Sequence, residues 1–171
     1  MKKNHLAAVV ICLILMTFLF VACKQSEKKP EFQCPFSSLN WDSTVANMVI
    51  LEGESKDTYK SVYGGICYTY PKTFNEKAGT IKYMFDDANR LMCIAWAYSS
   101  EDADELYSIY NNINESVNDT YGESNYNTDK QTNYGNVWYL EDGHITLSTM
   151  ITTSNKALQY AYIRPDTTNQ E

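Results

Sequence analysis

Apolar positions along the chain follow two rhythms. Over 40–52, Trp41, Val45, Met48 and Val49 recur at helical spacing, so one face is apolar and the segment predicts a helix. Asn40 or Asp42 can cap its start, and Gly53 supplies the left-handed residue that ends it. Three runs of strict alternation follow, over 62–70, 80–85 and 91–98, and each predicts a strand. Ile66, Tyr68 and Tyr70 share a face in the first, Ile81, Tyr83 and Phe85 in the second, and Met92, Ile94, Trp96 and Tyr98 in the third. Asp86 to Asn89 is turn chemistry between the last two. The helical rhythm returns over 101–121, with Leu106, Ile109, Tyr110, Ile113 and Val117 as the stripe and Gly122 as the stop. Glu101, Asp102, Asp104 and Glu105 stand near its start, where the helix dipole favours negative charge. Residues 123–132 are polar and Asn-rich and read as a loop. Strands are then predicted over 136–141, 144–149 and 157–163, the first two joined by the hairpin signal Asp142-Gly143.

The two halves resemble each other. Gly53-Glu54-Ser55 recurs as Gly122-Glu123-Ser124. Gly65-Ile66-Cys67-Tyr68 answers Gly135-Asn136-Val137-Trp138, and Gly79-Thr80-Ile81 answers Gly143-His144-Ile145. Ala95-Trp96 loosely answers Tyr160-Ala161. One such unit cannot bury its apolar face alone, whereas two side by side can. The expected fold is α+β: two helix-strand-strand-strand repeats forming an antiparallel sheet, with both helices on one face. Gly53 and Gly122 are expected at equivalent helix ends, with positive φ. Cys67 and Cys93 are expected to stay unbridged, because the first and third strands of a meander lie ~10 Å apart.

The start of the chain carries an address. Lys2 and Lys3 precede an apolar run over 6–21 that ends in Phe20-Val21-Ala22-Cys23. This resembles the signal of bacterial lipoproteins, although Phe20 stands where that family usually has leucine. The resemblance implies cleavage before Cys23, a diacylglyceryl group on its thiol, and membrane anchoring outside the cytoplasm in the cell envelope. The expected organisation is a signal peptide over 1–22, lipid anchor and tether over 23–36, the duplicated domain over 37–165 and a tail over 166–171. The order helix–Gly–strand, with Gly53 and Gly122, makes the domain similar to beta-lactamase-inhibitor-like and SmpA/OmlA-type extracytoplasmic modules. That resemblance implies binding of a protein partner rather than chemistry.

Charge and cysteines narrow the classes. The formal net charge is −7 and becomes −9 once Lys2 and Lys3 leave with the signal. An acidic surface argues against nucleic acid and against a polybasic membrane contact. Anchoring is then left to the lipid on Cys23. Past Cys23 the cysteines are Cys34, Cys67 and Cys93, with no Cys-x-x-Cys, and the one histidine is His144. A structural zinc site needs four such ligands, so no metal or other cofactor is expected. His144 follows a hairpin turn and reads as solvent-facing rather than catalytic. No serine sits in a Gly-x-Ser-x-Gly elbow, and Gly64-Gly65 lacks the helix and lysine of a phosphate loop. The carboxylates at 101–105 lack the calcium-loop pattern. These readings give a chain that is not an enzyme.

Tyrosine is the unusual component, at 14 residues, all past Cys23. Tyr68, Tyr70, Tyr83, Trp96, Tyr98, Trp138 and Tyr160 form one aromatic row, which is either core beneath the helices or an open face that holds a partner. Buried positions outnumber interface hot spots, which favours core for most of it. The functional expectation is a non-enzymatic, lipid-anchored envelope protein that binds a protein partner through a sheet face or loops. The alternative is a small-ligand or glycan binder using stacked aromatics.

Overall fold

A computed structural model describes residues 33–130 and 133–165. The signal, Cys23 and the tail 166–171 lie outside them. Among the described residues, two helices, α1 (Val45–Glu52) and α2 (Ala103–Tyr121), accompany eight strands. These are β1 (Asp57–Lys60), β2 (Gly64–Phe74), β3 (Lys77–Asp86), β4 (Leu91–Ser99), β5 (Tyr126–Lys130), β6 (Asn133–Leu140), β7 (Gly143–Ile151) and β8 (Lys156–Ile163). They form one antiparallel sheet in the order β1-β2-β3-β4-β8-β7-β6-β5. Each half is therefore a helix followed by a four-stranded meander, and the halves join through β4 and β8.

The register shows how the repeat is arranged. Ala95 pairs with Ala161, Trp96 with Tyr160 and Ile94 with Tyr162. A pseudo-twofold axis through the Ala95–Ala161 pair exchanges β1–β4 with β5–β8. Both helices lie on one face, because Met48 of α1 and Leu106, Ile113 and Val117 of α2 share a single core with Ile81, Tyr83, Trp96, Trp138, Ile145 and Tyr160. Gly79 and Gly143 are equivalent, as their sequence contexts suggest. A Cβ on either would come within 3 Å of a neighbouring strand's carbonyl, Ala97 O or Ile163 O. The register corrects two alignments. Ala95 is the counterpart of Ala161 rather than of Tyr160. Tyr70, not Tyr68, is the counterpart of Trp138, since Tyr70 pairs with Ile81 and Trp138 with Ile145. Each donates to its own helix stop: Tyr70 Oη to Gly53 O at 2.9 Å, Trp138 Nε1 to Gly122 O at 3.1 Å.

Several boundaries differ from the sequence expectation. The first helix starts at Val45, because Asn40 turns the chain back on itself: its Oδ1 accepts from Asp42 N at 3.1 Å. Thr44 is the cap, in a reciprocal box with Asn47. Trp41 thus precedes the helix and donates from Nε1 to Asp142 O at 2.7 Å. The expected loop over 123–132 contains β5, and 57–60 forms β1. Both are edge strands, with β1 exposed throughout, so neither shows apolar alternation. The folded unit also begins before residue 37. Phe36 is buried edge-on against Phe74, Tyr160 and Tyr162, and Cys34 packs on the same core. Burial pushes the Cys34 thiol up to about 12.

Ionic and polar contacts tie the helices to the sheet. Glu52 Oε1 accepts from Lys72 Nζ at 3.0 Å and Tyr83 Oη at 2.8 Å. Glu105, on the first turn of α2, accepts from Lys77 Nζ at 2.6 Å and also from Ser100 and Tyr98. Those bonds, that of Lys77 first, hold its carboxyl at about 2.

Gly53 and Gly122 both have positive φ, +88° and +86°, as expected, but with ψ of −173° and −177°. That is the region almost confined to glycine, not the left-handed helical region that asparagine tolerates. Open space surrounds both Cα atoms, so the cost of a side chain is backbone strain alone. Gly53→Ala and Gly122→Ala should each cost about 1–3 kcal/mol by urea denaturation, and asparagine should give no rescue. The second prediction concerns acid. A carboxylate with a depressed folded pKa stabilises above its unfolded pKa and loses that contribution as pH falls through the folded value. The difference in melting temperature between wild type and Glu105→Gln should therefore be full above ~4.5 and shrink toward pH 2. A difference that did not depend on pH would exclude the ionised Glu105 as the hub.

Candidate recognition face

The aromatic row lies in the core. Tyr70, Tyr83, Trp96, Trp138 and Tyr160 are all buried beneath the helices, while Tyr68 and Tyr98 are half-buried at the margin. As an open binding face the row is therefore excluded for those five. Period-two alternation places residues on a common face but does not say what covers it, and here α1, α2 and Phe36 do. The polar tips are used internally. Trp96 Nε1 donates to Lys72 O, and the Tyr160 and Tyr162 hydroxyls bond each other at 2.7 Å. Burial raises the hydroxyl pKa of Tyr83, Tyr160 and Tyr162.

The opposite face carries no helix among the described residues. Its centre is small: Ala95 and Ala161 sit on the pseudo-twofold axis, with Cys93 beside them and Met84, Ile163 and Tyr63 packed around. Its margins carry exposed rings, Tyr59 on β1, Tyr126 on β5 and Tyr139 on β6. Small residues at the middle and rings at the rim make a shallow trough.

One cross-strand row on this face is apolar. In register it runs Tyr59, Cys67, Met84, Cys93, Ile163, His144, Tyr139, across seven strands. The pseudo-twofold turns it into Thr128, Gly135, Ser148, Gln159, Ala97, Thr80, Pro71. The backbone offers both rows the same environment. The sequence fills one with sulfur, aromatic and aliphatic groups and the other with small and polar ones.

The apolar row presents sulfur, ring and aliphatic groups. Cys67 and Cys93 flank Met84 from the adjacent strand on either side, which sets them two strands apart, and both are free thiols, so the expected absence of a bridge holds. Burial pushes the Cys93 thiol up to about 12 and raises that of Cys67. Tyr59 is the cross-strand partner of Cys67, and Tyr63 packs against the cluster that holds Cys93. Burial, reinforced by Cys93, pushes Tyr63 up to about 12. Protonated thiols are poor nucleophiles and poor metal ligands, and no group of three or more His, Cys, Asp or Glu residues suited to a metal occurs among the described residues.

His144 departs from the solvent-facing reading. It is half-buried, and its ring meets that of Tyr139 edge-on at 4.9 Å. Its Nδ1 is buried and makes no hydrogen bond within the protein. The row thus contains one polar atom whose bonding capacity the protein leaves unused. Tyr59, Tyr63, Tyr139 and His144 were not singled out by pattern as one surface. Their only sequence signal is parity with Cys67 and Cys93, opposite the core face.

No protein-family model matches the chain, and no curated protein matches it. A solved structure similar to it is that of a DUF4309 family protein, YjgB, from Bacillus subtilis, at 13% identity and a TM-score of 0.46. The alignment covers 72% of this chain and 80% of that one. A likeness so loose carries no functional argument.

These two neighbours give a prediction. Cys67 and Cys93 should react slowly with a thiol reagent such as DTNB in the native protein. Tyr63→Ala should accelerate Cys93, and Tyr59→Ala should accelerate Cys67, each by roughly tenfold or more. Unchanged rates, with peptide mapping of the labelled site, would show that the rings do not cover the sulfurs.

Proposed function

We propose that this chain is a lipid-anchored, non-enzymatic binding module of the bacterial cell envelope, and that the uncovered sheet face is its binding surface. The observation that carries the reading is the asymmetry of that face. Structural needs are equal for two rows related by the pseudo-twofold, yet only one is apolar and aromatic, and it holds the unused His144 Nδ1. Rings at the rim and an apolar floor suit an elongated small ligand or glycan. The neighbouring hydroxyl and amide groups of Thr80, Ser148 and Gln159 suit the same ligand. A protein partner is the second reading. It is favoured by breadth, since eight strands span roughly 34 Å, and by the aromatic and methionine content usual at interface centres. The resemblance of residues 1–23 to a lipoprotein signal supports the anchoring.

Two measurements test this. Mass spectrometry of the mature N-terminal peptide should find Cys23 acylated, and Cys23→Ser should release the protein from membranes. An unacylated wild-type peptide would sink the anchoring. Calorimetric titration against soluble oligosaccharides and small-ligand panels should find a binder. Tyr139→Ala should weaken it about tenfold, on the order of 1.4 kcal/mol. The melting temperature should stay within a degree or two, because Tyr139 is 59% exposed. Unchanged affinity would move the site off this face, and capture of a protein dependent on Tyr139 would favour the second reading.

A further inference from the structure

The two helices are equivalent in the repeat but opposite in their outward chemistry. In α1, Met48 is buried, and Ile50 points about 200° around the helix from it, away from the sheet. Ile50 is 83% exposed and Leu51 42%, and Ala46, one turn before Ile50, is also exposed. No charged residue occurs in α1 before Glu52, and Glu52 is paired with Lys72. The outward residues of α2 include Asp104, Glu115 and Asp119. An eight-residue helix with its apolar face open is otherwise unaccounted for by the fold.

The chain enters the domain on the same layer. Gln33, the first described residue, bonds through its backbone to Tyr121 at the end of α2, and Phe36 is wedged against the core beneath the helices. Cys23 precedes Gln33 by ten residues, which reach at most roughly 36 Å when fully extended. A lipid on Cys23 would keep the point of chain entry, on the helix layer, within that distance of the bilayer.

We propose that the outward face of α1, formed by Ala46, Ile50 and Leu51, rests on the lipid surface in which Cys23 is anchored. The helix layer then faces the membrane and the uncovered sheet face points away from it. The inference depends on the anchoring given under Proposed function. Two exposed apolar side chains are too few to hold a domain on a membrane, but the anchor makes their contact intramolecular and supplies the effective concentration. Anionic headgroups repel the outer face of α2, which tilts the contact onto α1.

The test uses the full acylated protein in phosphatidylcholine vesicles with brominated acyl chains. A bimane fluorophore is placed by Ile50→Cys and, separately, by Ser148→Cys on the uncovered face, with the unsubstituted protein as the labelling blank. The probe at position 50 should be quenched at least twofold more than that at 148, with emission shifted to the blue. Adding Leu51→Asp should bring it down to the level of position 148. Equal quenching, or stronger quenching at 148, in protein that floats with the vesicles overturns the orientation and leaves the anchoring intact. Failure to float, with no acyl mass on the N-terminal peptide, overturns both. A blue shift at position 50 in detergent-free buffer without vesicles would assign the face to a second copy of the chain and overturn the proposal.

Discussion

Everything in this molecule depends on the seam between β4 and β8. Each half offers a helix and a meander, and neither encloses its apolar face alone. The seam joins the two most apolar strands through seven residue pairs, with Ala95 and Ala161 at the centre and Trp96 and Tyr160 beside them. Left unpaired, β4 would expose a hydrophobic edge, a ready template for aggregation. From the seam the strands become more polar outward and end in β1, whose four residues are all exposed. The one weakness of the arrangement is on the helix side, where two helices of unequal length leave the axis partly uncovered. Phe36 fills that place, with ring centroids 5.4–6.0 Å from Phe74, Tyr160 and Tyr162. Cys34 and Phe36, at the end of the segment read as tether, thus belong to the core packing.

How far the chain could be read follows from what each element buries. Strands with one face under the helices show alternation, and β3, β4, β7 and β8 were legible for that reason. Edge strands bury little, so β1 and β5 left no periodic trace. Pro71 hid the end of β2; it lies just past Thr69, the last β2 residue paired with β1, where the missing N–H costs no bond on that side. The helix stops at Gly53 and Gly122 were visible because only glycine meets the backbone requirement there. The start of α1 was not, since four residues of capping type, Asn40, Asp42, Ser43 and Thr44, stand within five positions and the choice of Thr44 is settled by the turn at Asn40.

The candidate face was the least legible part. Alternation assigned Tyr70, Tyr83, Trp96, Trp138 and Tyr160 to one face and could not say whether helices cover it. By the same alternation the opposite face holds Thr69, Thr80, Lys82, Cys93, Ala95 and Ala97, which reads as solvent or close packing. Its apolar row is visible only in register, because its members come from seven strands and no two of them are near neighbours in sequence.

A duplicated fold offers an internal control that a single domain lacks. Where the fold itself sets a requirement, the two halves answer alike. Tyr70 and Trp138 both donate to a helix-stop carbonyl, Gly79 and Gly143 both admit a neighbouring strand, and Ala95 and Ala161 both sit at the axis. Where the halves differ at equivalent positions, folding did not demand the difference. Met84 stands opposite Ser148 in this sense, Cys93 opposite Gln159, His144 opposite Thr80, and Tyr139 opposite Pro71. The outer faces of α1 and α2 differ in the same way. Core positions differ too, Tyr83 against Leu147 and Ile94 against Tyr160, but there one apolar residue replaces another inside the packing; the differences outside the core gather on two patches on opposite sides of the sheet. Such a distribution is what two separate external contacts would leave on a symmetric scaffold, one on the helix layer and one on the uncovered face.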